Sequence, residues 1–169
     1  SDLPVNTDLI SNYADVFADL KNQPWNSVNG VSYGVPHGRG ANLLAYRTDI
    51  VKPAPTSWGA VFDTNSPYKG KITAYDSPIY IADAALYLMK TKPELGIKYP
   101  YALDQKQFDA SVALLEEQKP LIGEYWGDYL KHVASIKAGN TVLGTAWQVN
   151  INLAQSEKVK VSGIKPVEG

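Results

Sequence analysis

Three short clusters in this sequence carry the residue types that grip a small polar molecule: Asp76-Ser77, Tyr125-Trp126-Gly127-Asp128 and Trp147-Gln148-Val149-Asn150. Each stands where a β-type run gives way to a helical one. In an open α/β sheet, ligands bind beyond the carboxyl ends of the strands, where helix N-termini also point their free N–H groups. That rule gathers Asp76, Ser77, Tyr125, Trp126, Asp128, Trp147 and Asn150 on one edge as candidate ligand-binding residues. Carboxylates and aromatic faces are what a buried ammonium needs, since desolvating it without compensation is costly. The same residues admit a structural role: Asp76 and Ser77 suit a helix cap, and Trp147 suits a core.

Other chemistry-bearing patterns lead nowhere. Gly38-Arg39-Gly40 resembles a phosphate-cradling turn, but Leu43 stands where the third glycine of a dinucleotide fingerprint belongs, and the glycines precede a strand instead of following one. His37 and His132 are the only histidines and lack ligand spacing, so no metal site is expected. Glu116-Glu117 reads as a solvated helix face, and no serine sits in a nucleophile elbow. With no cysteine there are no disulfides, thiolate ligands or Cys nucleophiles within the chain. Aromatics, glycines and single charges at strand ends suit binding better than catalysis, and neither an enzymatic activity nor a cofactor is expected.

The elements that must position these residues alternate. A short apolar pattern at Tyr13, Val16, Phe17 and Leu20 predicts one small helix, and Lys21 to Gly30 reads as a polar loop. Val31 to Pro36 reads as extended. Strands are expected at Ala41–Tyr46, Lys71–Tyr75, Leu121–Trp126 and Thr141–Ala146, and the alternation of Lys158 to Val161 predicts a half-exposed one. Between them, Ser57 introduces a short helix over Trp58 to Phe62. Ser77-Pro78 caps a helix whose inner face is Ile81, Ala85, Leu88 and Met89. A capping box at Asp104 to Gln107 starts a helix lined by Phe108, Val112 and Leu115. Asp128 to Ala138 is helical with Gly139 as its stop, and a last helix covers Val149 to Gln155. Strands alternating with helices make the fold class α/β, a three-layer lobe whose mostly parallel sheet is flanked by helices.

Composition narrows the function classes. Sixteen basic residues against 17 acidic ones, scattered singly, exclude the clustered basic footprint of a nucleic-acid binder and a polybasic membrane segment. No apolar run is long enough to span a bilayer. The start, Ser1-Asp2-Leu3-Pro4, has neither the basic nor the apolar part of a signal peptide. The 169 residues suffice for one sizeable core.

Read in order, several strings resemble the second lobe of periplasmic solute-binding proteins of the spermidine/putrescine ABC-importer type. They are Val31 to Pro36, His37 to Asn42, Leu43 to Val51, Pro55-Thr56-Ser57-Trp58, and Tyr68 to Ile72. Ile136 to Gly139, Gly144-Thr145-Ala146-Trp147 and the closing Ile164 to Gly169 complete the series. The resemblance implies one lobe of a type II periplasmic-binding-protein fold. It divides the chain into residues 1–30, an arm left over from a missing first lobe, and residues 31–169, the second lobe with both crossover segments. It implies an extracytoplasmic or periplasmic location, lipid-anchored in a Gram-positive host, a membrane permease as partner, and a small amine as solute.

Family binding residues carry over in part. The resemblance gives Asp76 the role of gripping a ligand ammonium and Trp147 that of packing on the ligand's methylenes, but Asn150 stands where a second acid is often found. Arg39 offers a bidentate fork to a carboxylate. Arg39 with Asp76 suits a zwitterionic ω-amino acid, two acids suit a polyamine, and Arg39 as a solvated loop residue suits neither. Two other classes stay open: the effector-binding domain of a transcription regulator, and a lobe of an enzyme on the same fold. The cysteine that a related thiaminase uses has no counterpart here. The arm's apolar side chains, including Trp25, suit either an arm-mediated homodimer or an arm that folds back on its own lobe or stays disordered.

Overall fold

The computed structural model describes residues 3–169, and the chain divides into two compact units, one up to Gly40 and one from Ala41 to Gly169. The first unit is built on a hairpin. Strand β1 (Ser27–Val28) pairs antiparallel with β2 (Val31–Ser32) across Asn29-Gly30, both at positive φ of 50° and 79°. That is the turn chemistry an Asn-Gly pair supplies, and it overturns the polar-loop reading of Lys21 to Gly30. The small helix expected through Tyr13 and Leu20 is also corrected. Two 3₁₀ turns, Ser11–Asp15 and Ala18–Leu20, flank extended Val16 and Phe17, and neither has a side-chain cap. So short an uncapped segment cannot repay helix nucleation.

The second unit is a five-stranded sheet with helices on both faces. The strands are β3 (Asn42–Arg47), β4 (Ile72–Tyr75), β5 (Ile122–Trp126), β6 (Leu143–Trp147) and β7 (Val161–Ile164), in the order β5-β4-β6-β3-β7. β4 pairs parallel with both β5 and β6, while β3 runs antiparallel to β6 and β7, so a single strand is reversed. The mostly parallel α/β lobe read from the alternation of elements is what the structure shows.

Side-chain alternation sends Leu44, Tyr46, Ile72 and Leu143 into one core beneath α1 (Gly59–Phe62), α2 (Tyr80–Thr91) and α3 (Gln105–Gln118). Ala45, Ala146 and Val161 face the other way, against α4 (Tyr129–Ala138) and α5 (Gln148–Ser156). Gly144 has no room for a side chain: a Cβ there would come within 2.1 Å of the Thr73 carbonyl oxygen, so glycine lets β6 pack closely on β4.

Three local expectations shift. The last strand lies at Val161–Ile164, because Lys158 turns at φ 63° and Val159 bonds back to Ala154; the alternating residues belong to the turn and the strand's first position. α2 starts at Tyr80, since Ser77 to Ile79 form a turn with Tyr80 N–H bonded to Ser77 O. The inner face of α3 passes through Ser111 and Gln118, whereas Phe108 is exposed. Gln118 reaches Val61 O at 3.0 Å and the Tyr80 hydroxyl at 2.9 Å, so its amide is satisfied inside the core and sets which face turns inward.

Candidate ligand-binding site

Parallel pairing makes β4, β5 and β6 end on one edge, followed by Asp76, by Gly127-Asp128 and by Gln148. Asp76 is exposed and its N–H continues the ladder, bonding Trp126 O at 2.8 Å. Tyr125 is half-exposed, and burial together with the nearby Asp76 carboxylate pushes its phenol up. Ser77 is half-buried, with its hydroxyl a distant 3.4 Å from Ile79 N. Asp128 caps α4 by accepting from Leu130 N at 2.8 Å, leaving its other oxygen toward solvent. Trp147 is half-buried at the end of β6.

The aromatic residues form one connected group. Trp147 meets Trp126 edge-on at 5.0 Å and Tyr75 at 5.1 Å, and Tyr75 lies 4.8 Å from Trp126. His132 stacks on Trp126 at 4.8 Å, with the rings 19° from parallel. Trp126 is 1% exposed and donates Nε1–H to Thr145 O at 3.1 Å, so it buttresses the edge from inside and offers no free face. Asn150 is also interior, its amide 2.7 Å from His132 Nδ1. These two placements correct the expectation that both side chains line the exposed edge. The reason is register: α5 turns Asn150 inward with Ile151 and Ala154, against β3 and α4.

Arg39 belongs to the first unit, where it is exposed and pairs with Asp19 at 3.3 Å. The edge thus brings together Asp76, Ser77, Tyr125, Asp128 and Trp147, with Trp126 and Asn150 beneath them.

Comparison with known proteins identifies the scaffold. The family model described as bacterial extracellular solute-binding protein matches residues 1–167. The chain belongs to that family. Among solved structures, this member of the family is similar to the spermidine/putrescine ABC transporter substrate-binding protein of Streptococcus pneumoniae, at 17% identity and a TM-score of 0.73 over 99% of this chain and 48% of that one. It is also similar to a lipoprotein of Treponema pallidum, at 13% identity and a TM-score of 0.74 over 98% of this chain and 49% of that one. A GABA receptor matches 72% of this chain and 36% of its own, at 26% identity and a TM-score of 0.57. The chain therefore spans about half the length of the solved proteins it matches.

The sequence reading leaves out Asp83 and weighs His132 only as a metal ligand. Asp83, in the first turn of α2, is buried with Asn42 Nδ2 at 3.0 Å, and burial pushes its carboxyl up to about 6, opposed by that hydrogen bond. Its acid interrupting a run of alanines in an otherwise apolar helix face was the available signal. His132 is buried, which holds its imidazole down at about 4, and nothing in its sequence neighbours points to the Trp126 stack.

Proposed function

We propose that this chain is a lobe of the substrate-binding component of a bacterial ABC importer and holds a small amine at the carboxyl edge of its sheet. The observation that carries the reading is the exposed Asp76 carboxylate on the same sheet edge as the half-buried Trp147 indole, which is braced by Tyr75 and Trp126. A carboxylate compensates an ammonium, and an indole face accepts methylenes or a cation. The spermidine/putrescine-binding protein of the same fold supports a polyamine as solute, and the family supports a permease as partner. The extracellular family and the lipoprotein neighbour support an extracytoplasmic location, and among the described residues no helix is long and apolar enough to cross a membrane.

A second solute class, a zwitterionic ω-amino acid, draws support from the GABA receptor likeness. Arg39, exposed in the first unit, stays a separate candidate for a carboxylate, because its surface pair with Asp19 is worth at most about 1 kcal/mol. In this reading residues 1–30 are an arm from a first lobe and residues 31–169 the second. Calorimetry of the 169-residue chain with putrescine, spermidine and 4-aminobutanoate tests it. One lobe covers one side of a ligand, so dissociation constants near millimolar are expected, weakened further by Asp76→Asn. Micromolar binding by the chain alone would overturn the lobe reading, and an Asp76→Asn variant with unchanged affinity would overturn the site.

A further inference from the structure

The end of the sheet opposite the carboxyl edge has a charge pattern of its own. There β4, β5 and β7 begin and β3 finishes, and the connecting turns carry Lys52, Lys69, Lys71, Lys119, Lys158 and Lys160, all exposed. Backbone bonds fix the turns along the sheet. Gly70 N donates to Leu121 O beside β5, Val142 N to Lys71 O beside β6, and Thr48 N to Lys160 O beside β3, each at 2.8 Å. With the strand order β5-β4-β6-β3-β7, the row spans the breadth of the sheet, roughly 19 Å. Scattered in the sequence, these lysines reach one end of the molecule only through the fold.

Among the described residues none of the six forms an ion pair. Arg47 and Lys137, in the middle of the row, are committed to Asp49 and Glu157. The acids left unpaired at this end, Asp63, Glu94, Glu116 and Glu117, belong to the ends of the α1–α3 layer, where Lys90 and Lys92 offset two of them. Positive charge is therefore in excess. Helix dipoles account for Lys119 after α3 and Lys158 after α5, but the effect fades within a turn and does not reach Lys52, Lys69, Lys71 or Lys160. One apolar side chain joins them: Ile50, 42% exposed, lies in the turn that carries Lys52 and whose Thr48 bonds Lys160.

We propose that this end of the sheet is a docking face for an anionic phospholipid surface, with Ile50 seated among the head groups. The row is spread along the sheet instead of converging on a point, so it matches many phosphates in a plane and not one bound anion. Its cations are all lysines, whose compact ammonium groups on flexible stems meet phosphates as point charges and offer no fork for a particular group. An apolar side chain amid lysines gains at the boundary of head groups and acyl chains, whereas a soluble polyanion has no use for it. The face lies opposite Asp76 and Trp147, so a chain adsorbed through it keeps its carboxyl edge uncovered. Docking of this kind does not depend on which solute that edge holds.

Vesicle flotation tests it, with the 169-residue chain mixed with phosphatidylcholine vesicles that contain or lack phosphatidylglycerol. The chain should float with the anionic vesicles at low salt, be released as salt screens the charges, and stay behind with phosphatidylcholine alone. A lysine brought to an anionic surface multiplies the partition about fivefold, so removing four charges by Lys69→Gln, Lys71→Gln, Lys158→Gln and Lys160→Gln together should weaken it about tenfold or more. All four side chains are exposed, so the variant keeps its fold. Lys106→Gln with Lys131→Gln, in the first turns of α3 and α4, removes charge elsewhere and should change the partition by less than about twofold. Ile50→Ser should weaken vesicle binding about two- to threefold and leave binding to inorganic polyphosphate unchanged. Equal flotation with both kinds of vesicle, or equal losses in the two lysine variants, would overturn the docking face. Polyphosphate bound more tightly than vesicles of equal charge, or an Ile50→Ser variant that floats as wild type does, would overturn the lipid surface as its occupant.

Discussion

Asn150 and His132 form a buried pair, the amide Nδ2 2.7 Å from the ring Nδ1. An amide nitrogen can only donate, so Nδ1 accepts and the ring is neutral with its proton on Nε2. Asn150 Oδ1 and His132 Nε2 have no partner among the described residues, so the pocket has nothing ready to stabilise a charge on the ring.

That neutrality predicts a pH dependence. Burial holds His132 down at about 4, whereas an unfolded-chain histidine titrates near about 6.5. Between those values the unfolded state binds the extra proton. The group therefore costs nothing above about pH 6.5, and stability is lost as pH falls toward 4, by about 3 kcal/mol in full. Asp83 works in the opposite sense. Its carboxyl, raised to about 6, carries a desolvation penalty above that pH which is relieved on acidification. The two partly cancel in the wild type. Asp83→Asn should be more stable than wild type at pH 7 by about 1–3 kcal/mol and should lose more stability between pH 7 and 4.5. Urea denaturation at both pH values measures it, and a flat profile in the variant would show that His132 takes up its proton in the folded state without cost.

Asp104 accepts from Gln107 N at 2.8 Å while the Gln107 side chain accepts from Asp104 N at 3.0 Å, closing the capping box on α3. Asp104→Ala should cost about 1 kcal/mol by chemical denaturation, and adding Gln107→Ala should cost less than its effect alone, because the box acts as a unit.

This helix start was legible because its signal is local, as was the Gly139 stop, which sits at φ 76°. Strand ends were legible for the same reason, and with them the edge holding Asp76 and Trp147. The reversal of β3 was not, since no residue within Asn42–Arg47 encodes its direction relative to β6; only the long-range pairing does. The burial of Trp126 and Asn150 depends on α4 and α5 docking beneath the edge, and that of Asp83 on β3 arriving beside α2. The tryptophan-bearing ends of β5 and β6, which flank β4, look alike in sequence, yet one side chain ends inside and the other at the rim.

In the first unit, Phe17 and Trp25 are 76% and 74% exposed, both large apolar side chains on a unit of forty residues with little core of its own. Such a surface favours association. Light scattering should show a mass that rises with protein concentration, and Phe17→Ser with Trp25→Ser should reduce it. Substitution is the cleaner test, because removing residues before Val31 would cut β1 from the hairpin. A monomer at every concentration would sink arm-mediated association.

Trp126 and Trp147 touch edge to face, yet the structure gives them separate duties. Trp126 is enclosed, stacked on His132 and bonded to Thr145 O, so Trp126→Ala should cost about 3–5 kcal/mol in unfolding free energy, with the loss spread over the whole lobe. Trp147 stands half-buried at the rim, supported on one side and open on the other. Trp147→Ala should cost markedly less stability but should remove the surface on which methylenes pack, abolishing the indole-dependent response to 1,4-diaminobutane, and Trp147→Phe should restore part of the binding. Paired measurements of unfolding and diamine binding on the three variants separate the duties. Were Trp147→Ala to bind the diamine as wild type does, the ligand's place at this edge would have to be abandoned. Were Trp126→Ala as stable as wild type, the aromatic group would not be the buttress its geometry describes.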